Sequence, residues 1–329
     1  MSLESSPRPH LRDPDVQDGI KYWESQPANY DGVLGGFGNG TLPRVDPLGS
    51  RQFLMHLLPE LCLVPSAVRP LNVLKEVANR RTRALDVGAG VGRVTADVLL
   101  HLFSDVVLVE PVEPFVNEAF RRGKASGLPA PSPSAPAPAP EKDSGNHLEV
   151  VSWKGIADKT KSVTFVQATL QDFDPTHPAL SPSNADKVKI LGRVGYVPST
   201  TQDDLSDGFD VVMCQWCLGA LSDADLVAFF RKCKAALRDP TRGLIFVKEN
   251  LCSEEGSPRV VFDESDSSLT RSDLAWKKCF ANASLKVIRE QIQNGFPEGL
   301  YPVKMCVPPI LFRKMQFWYL LDLSRYALR

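Results

Sequence analysis

The stretch RALDVGAGVGRVTADVLLHLF, residues 83–103, joins a short apolar run to a turn with three glycines and then to a segment with helical spacing. RALDV reads as a buried strand. Gly88, Gly90 and Gly92 permit a tight turn and close approach of the backbone to a ligand, and the helix after them offers free amides. Working outward, VVLVE (106–110) is a strand, EPFVNEAFRR (113–122) a helix, and VTFVQ (163–167) and FDVVMCQW (209–216) are strands. DADLVAFFRKCKAAL (223–237) is a helix and GLIFVKE (243–249) a strand. Apolar strands alternating with amphipathic helices predict an α/β domain, a parallel sheet covered by helices on both faces. A helix over 272–283, a strand over 285–291 and an extended segment around 300–305 predict an antiparallel closing edge.

At 329 residues and 43% hydrophobic content the chain can bury a full core, and one elaborated domain accounts for it. The net charge of −1 calls for no polyanionic partner or membrane surface, and no basic stripe or nucleic-acid motif is visible. Seven cysteines, odd in number and mostly inside apolar runs, suit reduced thiols in the cytoplasm or nucleus. The pair Cys214-x-x-Cys217 lacks the second pair or nearby histidine that a zinc site needs, so no metal is expected. Residues 1–20 carry no signal pattern and read as a disordered lead. Residues 21–329 read as a single domain with insertions at about 126–147, about 175–208 and about 306–325. The first insertion centres on the proline- and alanine-rich GLPAPSPSAPAPAPEKDSGN, which has too little apolar surface to offset its ordering entropy. The second contains VKILGRVGYV, which has the composition for local structure. The third separates YPVKM (301–305) from YALR (326–329), two pieces that resemble one closing strand, and predicts that the last strand is disrupted. Its PPILFRKMQFWYLLDL is too short and too charged to span a membrane.

The turn's ligand follows from what flanks it. Glu110 ends the second strand, where a carboxylate can accept hydrogen bonds from both hydroxyls of a ribose; a nicotinamide enzyme uses the same device. The spacing D-x-G-x-G-x-G from Asp86, with Arg93 directly after the last glycine, favours S-adenosylmethionine over a dinucleotide. A guanidinium there can hold an amino-acid carboxylate. LQDF (170–173) is by itself only a loop, but it falls after the next strand, where a methyltransferase of this topology grips the adenine, here by Leu170 packing and by hydrogen bonding from Gln171 or its backbone.

YWESQPANYDGVLGGFG (22–38), ALDVGAGVGRVT, LQDF, QWCLGALSD (215–223), VKEN (247–250) and VFDESDSSLTRSD (261–273) together resemble the eukaryotic protein N-terminal (alpha-N) methyltransferases, of fungal type, which act on chains beginning Xaa-Pro-Lys. The resemblance runs from about Tyr22 to Tyr301 outside the insertions. It implies a seven-strand class I, Rossmann-like methyltransferase sheet, S-adenosyl-L-methionine as donor, and the free α-amine of a protein N-terminus as acceptor, with ribosomal and nuclear proteins among the plausible partners. By motif it places Gly88, Arg93, Glu110, Leu170, Gln171 and Gln215 at the cofactor; relatives commonly carry aspartate at the Glu110 position. It places Trp23, Leu34, Gly35, Trp216, Asn250, Asp263, Asp266, Ser268 and Tyr301 at the peptide. The chemistry agrees: Trp216 offers an aromatic wall for a second-position proline, Asn250 an amide for the peptide backbone, and Asp263 and Asp266 carboxylates for a third-position lysine.

One departure bears on rate. Where the family pattern has histidine, in QW-x-x-G-H-L, this chain has Ala220, leaving Asp266 as the remaining proton acceptor beside Asn250. The sequence therefore predicts an N-terminal protein methyltransferase slowed by Ala220. The alternatives it leaves are a catalytically weak module that binds cofactor and peptide, and a methyltransferase with a different amine acceptor.

Overall fold

The computed structural model describes residues 12–61, 80–128, 152–179, 186–199 and 205–308. Strands β1 (Arg83–Val87), β2 (Asp105–Glu110), β3 (Ser162–Gln167), β5 (Val211–Gln215) and β6 (Leu244–Asn250) pair in parallel, as their apolar runs require. β10 (Val303–Val307) runs antiparallel to β6, and β9 (Arg289–Ile292) antiparallel to β10. Among the described residues the sheet order is β4-β3-β2-β1-β5-β6-β10-β9. That is eight strands rather than the expected seven. The extra one, β4 (Lys189–Gly195), pairs antiparallel with β3 from inside the expected 175–208 insertion, so that stretch is in part an edge of the sheet.

Both faces are covered because successive side chains alternate. Leu85, Val212, Cys214 and Ile245 point into a core closed by helices Asp223–Ala235 and Asp273–Asn282. Ala84, Val211, Met213 and Phe246 point into a second core, closed by helices Leu42–Leu57 and Glu113–Ser126 and by the helical stretch Thr95–Leu99. Among the described residues no helix is long and apolar enough to cross a membrane.

The N-terminal lead is shorter than expected. Helix α1 (Val16–Glu24) begins inside it, because the Asp15 carboxylate accepts hydrogen bonds from the Gln17 and Asp18 amides and caps the first turn. The Asp15 amide in turn donates to Ser267 Oγ at 2.8 Å, which ties α1 to a separate hairpin, β7 (Val260–Asp263) and β8 (Ser268–Arg271). The last strand is also intact. β10 runs through Cys306 to Val307 between two partners and is not disrupted at residue 306, while residues 309–325 of the expected insertion lie outside the described residues. Most of the 126–147 insertion lies outside them too; Ser126 ends a helix.

From β1 the chain moves outward to β2 and β3, then returns to lay β5 on the other side of β1. A sheet that reverses in this way leaves a crevice at the carboxyl ends of the two strands.

Candidate active site

A cavity of about 550 Å³ occupies that crevice and continues beneath α1 to the β7–β8 hairpin. Its volume suits a drug-sized ligand. One end is the glycine turn. Gly88 has φ +60°, and a Cβ there would overlap Cys217 Cβ, so only glycine lets β1 leave the sheet this close to the turn after β5. Glu110, buried at the end of β2, accepts hydrogen bonds from the Gly90 amide (2.7 Å, Oε2) and the Val112 amide (2.8 Å, Oε1). Burial pushes its carboxyl up to about 7 against the pull of those two amides. Each oxygen keeps a second lone pair, and the residue lines the cavity, so ribose hydroxyls remain within its chemistry. Leu170 and Gln171 line the same end; Gln171 Nε2 donates to the Ala220 carbonyl at 3.1 Å, bridging two loops. This concave end, with the Glu110 carboxyl for ribose hydroxyls and the apolar Leu170 beside it, fits S-adenosylmethionine.

The other end gathers Trp23, Leu34, Gly35, Trp216, Ala220, Asn250, Asp266, Ser268 and Tyr301. Trp216 stands at the end of β5 with φ +55°, a strained backbone costing on the order of 1–3 kcal/mol that persists only where the surroundings enforce it. Its ring packs 6.0 Å from Phe296 and faces the cavity, while its buried Nε1 has no partner among the described residues. The turn after it is held from two sides. Glu249 Oε1 accepts from the Cys217 and Leu218 amides, both at 3.0 Å, and the buried Arg271 guanidinium donates to the Leu218 and Leu221 carbonyls. Asp266 sits in the hairpin turn with Oδ1 buried and unpartnered among the described residues. Burial pushes its carboxyl up, opposed by hydrogen bonding to Ser268.

Three expected site residues are elsewhere. Arg93 turns away from the cavity into helix Leu42–Leu57, where its Nη1 donates to Asp46 Oδ2 at 2.6 Å. Gln215 does the same, its Nε2 reaching both Asp46 oxygens at 2.8 and 3.0 Å. Both are side chains next to the cavity wall whose nearest unsatisfied acceptor was a carboxylate the protein itself supplies. Asp263 is exposed and accepts from the Ser265 amide and hydroxyl, so it does not share a groove with Asp266. Ser267, directly after Asp266 in the hairpin turn, has φ +53°.

The structure adds residues that the motifs did not single out. Asp46 and Lys248 are both fully buried, with Lys248 Nζ 2.6 Å from Asp46 Oδ1. Burial would raise the Asp46 carboxyl, but Arg93 and Lys248 together hold it below the ordinary range. Asp46 lies in TLPRVDPLGS, whose prolines hide the helix. Lys248 alternates with inward apolar residues along β6, and a lysine in such a run is the one signal available.

The chain is similar to known proteins over most of its length. The family described as AdoMet dependent proline di-methyltransferase matches residues 13–126 and 150–307. Alpha N-terminal protein methyltransferase 1 of Schizosaccharomyces pombe is 32% identical over 288 residues, covering 88% of this chain and 93% of the relative. N-terminal Xaa-Pro-Lys N-methyltransferase 1-B of Xenopus laevis is 28% identical, covering 86% and 89%. A solved SAM-dependent methyltransferase of Leishmania major superposes with a TM-score of 0.56 at 27% identity, covering 89% of this chain and 82% of that one.

Proposed function

The chain belongs to the AdoMet-dependent proline di-methyltransferase family, and on that premise we propose that it methylates the free α-amine of proteins beginning Xaa-Pro-Lys. Ribosomal and nuclear proteins, met in the cytoplasm or nucleus, are the proposed acceptors. The observation that carries the reading is the continuity of the cavity, with the glycine turn at one end and the partnerless Asp266 oxygen at the other. A buried acceptor atom without a donor is rare in folded proteins, and an incoming ammonium or peptide N–H supplies one.

When bound, S-adenosylmethionine supplies an electrophilic methyl carbon. The chain's own residues have to present a neutral amine to it, in line, and dispose of a proton. Trp216 gives a flat wall for the second-position proline, and Asn250, at the end of β6, faces the cavity to fix the peptide backbone. Asp266 holds the amine and takes its proton; its raised affinity for protons suits it to that task. Ala220, at the position where the family resemblance puts a histidine, contributes no base. An α-amine has a pKa of about 7.7–8.0, so roughly a fifth is neutral near pH 7.2, and nearby carboxylates lower that share. The proposal is therefore a competent but slow enzyme.

The test is to locate the methyl group. A peptide beginning Pro-Pro-Lys, labelled from S-adenosylmethionine and fragmented in a mass spectrometer, carries the label on its first residue if the proposal holds. Label on the lysine side chain rejects it.

A further inference from the structure

Residues 294–302 join β9 to β10 and roof the acceptor end, where Gly299, Leu300 and Tyr301 line the cavity. They form no helix or strand, and Tyr301 is 49% exposed, so their position has to be imposed by what anchors their start. That anchor is Gln293. Its backbone amide donates to the Val303 carbonyl at 2.8 Å, and its side-chain Nε2 to the Asn294 carbonyl at 2.9 Å. Its Oε1 accepts from Lys248 Nζ at 3.0 Å. Lys248 is itself immobilised by Asp46 and by Ser50 Oγ at 3.0 Å, and its ammonium lies 5.6 Å from the Phe296 ring that packs on Trp216. On the far side, the Gln293 carboxamide fills the space where Gly49 lacks a side chain; a Cβ on Gly49 would overlap it.

We propose that Gln293 is a positioning residue for the acceptor, its carboxamide clamped between Lys248 and Gly49 so that residues 294–302 are held over the peptide end of the cavity. The proposal rests on the reading that this end takes the peptide. It gives Lys248 a function beyond pairing with Asp46. A buried ammonium has three donors to satisfy, and here they are shared among Asp46, Ser50 and Gln293, so a single charge links helix Leu42–Leu57 to the roof.

Gly49→Ala separates positioning from stability. Alanine is favoured over glycine inside a helix, yet its Cβ displaces the flexible end of Gln293. Gly49→Ala and Gln293→Leu are expected to raise the KM for a Pro-Pro-Lys peptide about fivefold or more, while kcat and the KM for S-adenosylmethionine stay within about twofold. Gly49→Ala should melt no lower than the parent, Gln293→Glu should keep a near-parental peptide KM, and amide exchange over 294–302 in the ligand-free protein should speed up in the first two variants. An unchanged peptide KM in both variants overturns the proposal, with or without faster exchange, as does an equal rise in both KM values. A parent protein that transfers no methyl to the peptide overturns the functional reading instead, and unchanged exchange would then still overturn the clamp.

Discussion

The two ends of the cavity are built on opposite plans. The donor end is made by the glycine turn after β1 and the carboxyl end of β2, with the loop after β3 beside them, all on one rigid sheet. The acceptor end is assembled from α1, the turn after β5, the β7–β8 hairpin and the 294–302 segment, which are far apart in sequence and meet only in the fold. Each end holds one buried glutamate gripped by two backbone amides, Glu110 at the first and Glu249 at the second, and burial pushes each carboxyl up to about 7. On the proposed reading, a fixed cofactor is served by local geometry, whereas a varied peptide is served by parts that can be altered one at a time.

If the ends are separable, damage to one should spare the other. The largest effect is expected from Gly88→Val, which combines a positive φ with overlap on Cys217 and should cost about 2–4 kcal/mol of stability. At a temperature where it still folds, calorimetry should find S-adenosylmethionine binding weakened more than about a hundredfold. Asp266→Asn should strike only the acceptor end, lowering kcat/KM for peptide by about 10–100-fold, the worth of a hydrogen bond to a charged group, with cofactor affinity unchanged. Equal losses of both ligands would erase the distinction. Ala220→His should raise the rate about tenfold near pH 7 and much less at pH 9, where solvent already deprotonates the amine. A variant no faster at any pH would mean that deprotonation does not limit turnover.

The smallest effect tests the symmetry between the glutamates. A carboxyl whose folded pKa is raised binds its proton more tightly in the native state. The stability it contributes is fully present below its ordinary value of 4.5 and is lost as pH rises through about 7. Glu249→Gln keeps an acceptor for the Cys217 and Leu218 amides without the ionisation, so it should melt higher than the parent at pH 8 and much the same at pH 4.5. Glu110→Gln should behave alike, and melting curves across that range would reveal any asymmetry.

The donor end was legible because its residues are contiguous: the turn, Glu110 and LQDF each announce a function within a few positions. Where the sequence misled, a partner distant in the chain intervened. Arg93 follows the last glycine and looks poised for a ligand, but the helix it opens carries it toward Asp46, 47 positions earlier. Asp263 and Asp266 are three residues apart, yet only Asp266 lines the cavity, because Asp263 is exposed and accepts from the Ser265 amide and hydroxyl. Trp23, Leu34 and Gly35 of the opening segment YWESQPANYDGVLGGFG line the cavity, whereas the polar PDVQDGIK before it gave no sign that Asp15 caps a helix. β4 was legible only as a stretch with the composition for local structure, because its face is half exposed and two of its seven residues are glycine.

The central claim is that the acceptor is a free α-amine whose proton is left to Asp266 and solvent, with no histidine at position 220. Methyl transfer to a Pro-Pro-Lys peptide and to its N-acetylated form, measured from pH 7 to 9.5, tests it most directly. The account predicts transfer to the free peptide alone, at a rate that climbs with pH until the amine is fully neutral. Transfer to the acetylated peptide, or a rate to the free peptide that does not change with pH, would contradict it.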